Sequence, residues 1–321
     1  MEKKLIGIDI GGTTIKIAIL EWEGKIIAKW ELPTRTENKG ENILTDIVES
    51  IETKLTELDL TKADIHAAGV GVPGPVQLNV GYLPIAVNLG GWGDLNINDA
   101  LSKLLELPVI TDNDANVAAL GEMWQGSGDG ATDVVFITLG TGVGGGIIVD
   151  GKIISGCNGA GGEIGHMPIV AETDEHYYQC NCSASGCVET VCSATGIVRI
   201  AQKYLAKNLA TTTLDINTVT SKMVFDAAQE NDVVALKVID TFAKYLAKAL
   251  NLLSVTVNPK VFVIGGGVSQ AGDLLINNIQ KYFGENIFPS AVVGVEIKMA
   301  VLGNDAGVIG AAKHAKELPI R

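Results

Sequence analysis

The sequence predicts two α/β halves that face each other across a cleft, and three observations carry that reading. A chain of 321 residues is too long for one ordinary core and suits two domains. The opening of the chain recurs: Glu23-Gly24-Lys25-Ile26-Ile27 and Asp150-Gly151-Lys152-Ile153-Ile154 each close a strand, a glycine-rich turn and a second strand. Further strand and helix patterns then follow each repeat, as α/β architecture requires.

Taken in order, Leu5 to Ile10 is an apolar run interrupted near its end by Asp9, and Gly11-Gly12-Thr13-Thr14 turns it into the alternating Ile15, Ile17 and Ile19. That is a β-hairpin, continued by Lys25-Ile26-Ile27. Asn42 to Leu58 has helical spacing, with Ile43, Ile47, Ile51 and Leu55 on one face. Ile65 to Val72 is a short buried strand entering Pro73-Gly74-Pro75. Val109 to Thr111 is another, leading into a helix that carries Val117, Leu120 and Trp124. The second half repeats the hairpin at Val134–Leu139 and Gly144–Val149. Helices are predicted at Ser193–Leu205, Ser221–Gln229 and Val233–Thr256. A strand at Val261–Ile264 leads through Gly265-Gly266-Gly267 into a helix from near Ser269, and a strand at Val295–Ala300 precedes a closing helix from Asp305.

Composition narrows the function. Hydrophobic residues make up 47% and charged residues 19%, which describes a well-buried globular protein. The net charge of −13, from 37 acidic and 24 basic residues, argues against nucleic acid or an anionic membrane as partner. Asp9 and Lys16 break the N-terminal apolar run, so no signal peptide is expected, and Val134 to Val149 is too short and glycine-rich to span a bilayer. Five cysteines, three of them clustered, fit a reducing cytoplasm better than a disulfide framework.

Three glycine clusters and one acidic run point to nucleotide chemistry. The backbone N–H groups of Gly11 and Gly12 can approach a phosphate because no Cβ blocks them, the hydroxyls of Thr13 and Thr14 add donors, and Asp9 is placed to hold Mg²⁺. Gly140-Thr141-Gly142 would face that turn across the cleft. Neither is a P-loop, since no Gly-x4-Gly-Lys-Ser/Thr occurs, and the Gly140 turn leads into a strand where a Rossmann motif needs a helix. Gly265, Gly266 and Gly267, between strand and helix, suit a nucleoside over a helix N-terminus. Asp112-Asn113-Asp114-Ala115-Asn116 opens a helix. It holds more Asp and Asn than capping needs, so one carboxylate can accept a hydroxyl proton while Asn113 fixes the acceptor.

Between Gly161 and Glu189 lie three cysteines, two histidines and the carboxylates of Glu163 and Glu189. Cys180, Cys182 and Cys187 have the spacing of soft-metal ligands, and either His166 or His176 can complete a tetrahedral site.

Together these segments resemble the ROK family of sugar kinases, nearest its bacterial ATP-dependent glucokinases. The resemblance rests on Asp9-x-Gly-Gly-Thr, Asp112-Asn-Asp-Ala-Asn, Leu139-Gly-Thr-Gly-Val-Gly-Gly-Gly, Gly162-Glu-Ile-Gly-His, Cys180-x-Cys-x4-Cys-Val-Glu and Ile264-Gly-Gly-Gly-Val, in family order from Asp9 to Gly310. It implies an actin-like, ribonuclease-H-type ATPase fold. The expected division is a smaller α/β domain of residues 1–116 with 305–321, and a larger one of 117–304 carrying the cysteines. It implies ATP with Mg²⁺, structural Zn²⁺, glucose or a related hexose as substrate, and a homodimer. Asp114 then corresponds to the base toward the sugar 6-hydroxyl. Gly74, Asn88, Asn113, Glu163, His166 and Glu189 match sugar-binding positions, and His166, Cys180, Cys182 and Cys187 match zinc ligands. Two departures are visible: the His166–Cys180 segment is longer than the family's usual spacing, and Ser183 stands where a Gly is usual. His166 is still favoured over His176, because a zinc site tolerates loop length but needs fixed ligand geometry. Kinases for N-acetylmannosamine, fructose or allose share these motifs. A sugar-sensing repressor of the same family would need a DNA-binding segment before the first strand, which here starts within a few residues of Met1.

Overall fold

The computed structural model describes residues 2–77, 80–208 and 210–319. In chain order, strands β1 (Lys4–Ile10), β2 (Thr14–Leu20) and β3 (Ile26–Pro33) are followed by helix α1 (Ile43–Glu57) and strand β4 (Ile65–Val72). A hairpin of β5 (Tyr82–Ala86) and β6 (Trp92–Asn96) precedes α2 (Ile97–Leu105), β7 (Val109–Asn113) and α3 (Asp114–Gln125). The second half holds β8 (Val134–Leu139), β9 (Val143–Val149), β10 (Lys152–Ile153), α4 (Val188–Cys192), α5 (Ala194–Lys207), α6 (Ser221–Gln229), α7 (Val233–Val257), β11 (Val261–Gly265), α8 (Asp273–Gln280), β12 (Glu296–Met299) and α9 (Ala306–Lys316).

The two main sheets have one topology. The first runs β3-β2-β1-β4-β7 and the second β10-β9-β8-β11-β12. In each, the first three strands pair antiparallel and the last two join parallel. Each sheet has its own core. Ile43, Ile47, Ile51 and Leu55 of α1 and Ile97, Leu101 and Leu105 of α2 bury against the first sheet, while α7 packs Val238, Phe242 and Leu246 against the second. Each such side chain contributes about 1.5–3 kcal/mol by leaving water.

Helices α3 and α9 pack against each other between the sheets, with α9 lying on β1 and β4 and α3 against β8 and β9. Their approach is so close that a Cβ on Gly310 would overlap the Val117 carbonyl. The expected division between residues 116 and 117 falls in the first turn of α3.

Several local expectations change. The β5–β6 hairpin and α2 fill the stretch between Pro75 and Val109, where the sequence pattern indicates no element. The helix expected from Ser269 is a 3-10 turn over 267–271; Gly272, at φ +57° and ψ −134°, breaks it, and α8 starts at Asp273. The burial preference of free cysteine places Cys157 and Cys192 among buried small residues; Cys192 is buried and Cys157 is exposed. No helix among the described residues is long and apolar enough to cross a membrane.

Candidate functional site

A cleft of about 760 Å³ lies where the two sheets' glycine turns and the α3 N-terminus converge. The β7–α3 junction builds its floor. Asn113 caps α3, its side-chain oxygen accepting from Ala115 N at 2.9 Å, while its Nδ2 donates to Gly74 O at 3.1 Å. Asp112 braces the junction from below, accepting from Asn113 N at 2.6 Å and from Asn116 Nδ2 at 2.9 Å. Capping and bracing leave Asp114, the first helical residue, open to the cleft, its carboxylate accepting from its neighbour Ala115 N at 2.8 Å. Desolvation by the surrounding protein, reinforced by the charges of Asp9 and Glu163, pushes its carboxyl up to about 6.

Asp9, two residues before the first turn, also lines the cleft. Burial raises its pKa, and the charge of Lys16, its register partner across β1–β2, opposes that rise. A Cβ on Gly307 would come within 2.6 Å of the Asp9 carboxylate, so only glycine lets α9 start this close to it. The first turn is closed by Gly11 N donating to Thr14 O at 3.0 Å, and Thr34 holds it from outside, through its hydroxyl to Gly11 O and its N–H to Thr13 O. Gly12 stands beside the carbonyl of Asn88, which lines the cleft.

The second turn is fastened from behind. Ala194 N donates to Gly140 O at 2.8 Å and the Thr195 hydroxyl to Thr141 O at 3.2 Å, both from the start of α5. Glu189 accepts from Val143 N at 3.0 Å, and its carboxylate fills the space where a Gly142 side chain would sit. Gly266, at φ +84°, brings the third glycine cluster against the backbone of Leu139.

His166, Cys180, Cys182 and Cys187 offer ligand atoms that all lie within 4.8 Å of one another. Cys180 Sγ is 3.7 Å from His166 Nδ1, and Cys182 Sγ is 3.8 Å from Cys187 Sγ. A tetrahedral zinc ion with bonds of about 2.0–2.3 Å separates its ligands by roughly 3.5–3.8 Å, so the donor set fits that ion. His166 turns its other nitrogen toward Glu163, at 3.9 Å. His176 lies elsewhere, buried among Tyr178, Tyr204 and Tyr245 with Asp174 at 3.4 Å. Cys180 also reaches Glu189 Oε1 at 3.7 Å, so one carboxylate touches both the cysteine cluster and the second glycine turn.

Of the residues predicted from sequence, Asp9, Asn88, Asp114, Gly140, Gly142, Glu189, Gly265, Gly266 and Gly267 line this one cleft. Gly11, Gly12, Thr13, Thr14 and Thr141 belong to its turns without lining it. Gly74 and Asn113 support its floor from outside, and Glu163 and His166 lie beyond the lined volume. The sequence reading names Lys16 only as a break in the N-terminal apolar run, and it does not single out Gly307 or Thr195. Lys16 could have been found from strand alternation: it interrupts Ile15, Ile17 and Ile19 on the face that Asp9 shares.

Comparison with known proteins agrees with this fold. The ROK family model matches residues 5–318. A glucokinase of Halalkalibacterium halodurans is 45% identical over 97% of this chain and 94% of its own length. One from Thermotoga maritima is 35% identical over 98% of each chain. The solved structure of a ROK family glucokinase from Streptomyces griseus, in complex with glucose and AMPPNP, superposes with a TM-score of 0.73 at 30% identity, covering 98% of this chain and 100% of that one. The family match over nearly the whole chain, with these relatives, establishes that the chain belongs to the ROK family.

Proposed function

We propose that this protein is an ATP-dependent glucokinase, transferring the γ-phosphoryl group of ATP to the 6-hydroxyl of glucose. One observation carries the reading most: Asp114 opens into the cleft lined by the glycine turns, with its carboxyl held at about 6, a value suited to taking a proton near neutral pH. The similarity to glucokinases from two bacteria supports glucose over other hexoses.

In this mechanism the sugar is held by Asn88, Asn113, Glu163, His166 and Glu189, with Gly74 supporting Asn113. The 6-hydroxyl oxygen bonds to the γ-phosphorus as the bond from that phosphorus to the bridging oxygen breaks. ADP leaves, and the hydroxyl proton passes to Asp114. The transition state is loose, so positioning and charge neutralisation contribute more than strong basicity. Asp9, with Gly11, Gly12, Thr13 and Thr14, serves the phosphates from one side and Gly140, Thr141 and Gly142 from the other. Gly265, Gly266 and Gly267 lie beneath the nucleoside. Mg²⁺ arriving with the nucleotide fits Asp9, which lacks a basic partner within 4.0 Å among the described residues, and it would neutralise phosphate charge. Zinc on His166, Cys180, Cys182 and Cys187 leaves no open position and would stiffen the loop that carries Glu163 and Glu189.

A coupled ADP assay across a hexose panel tests the function. Glucose should give the highest kcat/KM with ATP, at one ADP per glucose 6-phosphate. A preference for N-acetylmannosamine, fructose or allose would reassign the substrate, turnover with polyphosphate alone would reassign the donor, and no ADP with any hexose would overturn the proposal. We also expect a cytoplasmic homodimer with no nucleic-acid partner, which sedimentation velocity with and without DNA checks.

A further inference from the structure

Helix α9 crosses the strands of the first sheet. Three helical residues rise about 4.5 Å, near the spacing of about 4.8 Å between strands, so the helix meets a new strand every third residue. Val308 lies over Gly7 of β1 and Ala311 over Gly69 of β4, each so close that a Cβ on the glycine would overlap the helix carbonyl. The next step brings His314 to β7, where its Nε2 stands 3.9 Å from Asp112 Oδ2. Both residues are buried, at 6% and 1% exposure. Neither Asp112 Oδ2 nor either ring nitrogen of His314 has a hydrogen-bond partner among the described residues. The far side of the ring faces Glu317, with Nδ1 3.7 Å from Oε2, and Lys313 holds that carboxylate at 2.8 Å. Polar groups so far from bulk water are costly unless they serve one another.

We propose that His314 is a positioning residue that acts through Asp112: it holds the Asp112 carboxylate against Asn113 and Asn116, and so fixes the helix start that aims Asp114 into the cleft. The proposal rests on the kinase reading above. Asp112 divides its two oxygens to suit this role. Oδ1 accepts from Asn113 N and Asn116 Nδ2, at the start of α3, while Oδ2 faces His314. Burial pushes the Asp112 carboxyl up, and Asn116, His314 and Asn113 all oppose that rise. The sheet places a second cleft carboxylate in the same frame, since Asp9, Gly71 and Asp112 are register partners across β1, β4 and β7. Gly307 meets Asp9, and His314, two turns further along α9, meets Asp112. One helix thus abuts Asp9 directly and supports Asp114 through Asp112.

The test is a kinetic double-mutant cycle in the full chain, with His314→Leu, Asp112→Ala and the pair, and His314→Gln as the conservative variant. Melting curves accompany each. His314→Leu should lower kcat about 10- to 100-fold while KM for glucose and for ATP stays within about 2-fold, because a small misplacement of Asp114 costs rate and not binding. Gln sets an amide nitrogen where the ring carries Nε2, so His314→Gln should recover most of kcat. In Asp112→Ala, adding His314→Leu should lower kcat no further, since the route through Asp112 is already cut. An unchanged kcat in His314→Leu, no recovery with Gln, or losses that multiply in the pair would each overturn the inference. Where Leu is not tolerated, His314→Asn takes its place, its amide stopping short of Asp112. If the pair does not fold, the kcat-against-KM split and the recovery by Gln decide alone. Should the unaltered chain phosphorylate glucose while these outcomes fail, the inference falls by itself; should it phosphorylate no hexose, the kinase reading falls with it.

Discussion

In the first sheet, hairpin β1–β2 sets Asp9 opposite Lys16 just before its turn; in the second, β8–β9 sets Thr138 opposite Gly144 at the corresponding place. The strand pairing is the same and the chemistry differs. The first hairpin concentrates charge in the cleft, beside Asp114 on the adjoining β7–α3 junction. The second offers small residues and backbone, and its turn is pinned by Ala194, Thr195 and Glu189. Glu189 in turn touches Cys180. In the proposed mechanism the duplicated fold separates two tasks: the first hairpin and the adjoining β7–α3 junction supply the charges of Asp9 and Asp114, and the second hairpin supplies a backbone cradle that Glu189 links to the cysteine cluster.

That contrast can be broken by substitution on either side. The largest effect is expected from Asp114→Asn, which should lower kcat about 10²- to 10⁴-fold with KM for glucose and ATP little changed. The same variant should melt no lower than the unaltered protein. A carboxyl raised above its ordinary 3.8 is less easily ionised in the folded state than in the unfolded one, so above that value its charge opposes folding and Asn relieves it. On the cradle side, Cys187→Ser removes a fully buried thiol of the proposed zinc site. Bound zinc, read by mass spectrometry, should drop from about one per chain to near zero, and kcat/KM for glucose should fall about 10- to 100-fold as Glu189 and His166 lose their support. Full activity without zinc would separate the cluster from the cradle. The smallest change comes from Thr195→Val. Losing one hydrogen bond to Thr141 O should raise KM for ATP about 3- to 10-fold and leave KM for glucose alone. An equal rise for both substrates would mean that the second turn is not specific to the nucleotide.

The sequence was most legible where local rules suffice. Alternation in Ile15, Ile17 and Ile19, and its recurrence after Val134, gave both hairpins, because strand period and turn residues are local properties. The cysteine spacing gave the cluster for the same reason, and the family pattern favoured His166, which is the histidine beside the thiols. The β5–β6 hairpin was not legible: Pro84, Gly90, Gly91 and Gly93 punctuate its short strands and mask their alternation. Nor was the backing of the second turn, since the bond from Thr195 to Thr141 spans 54 residues and no local pattern marks it. Cys157 was misplaced because a cysteine's preference for burial does not outweigh a glycine-rich loop that runs over the surface.

The central claim is that Asp114, in the charged half, takes the proton, and the pH dependence of kcat/KM for glucose tests it most directly. Measured between about pH 5 and 8, the unaltered enzyme should lose activity as pH falls through about 6, where Asp114 becomes protonated, and hold a plateau above it. The residual activity of Asp114→Asn should lack that inflection. A flat profile in the unaltered enzyme, or the same inflection in the variant, would contradict the account.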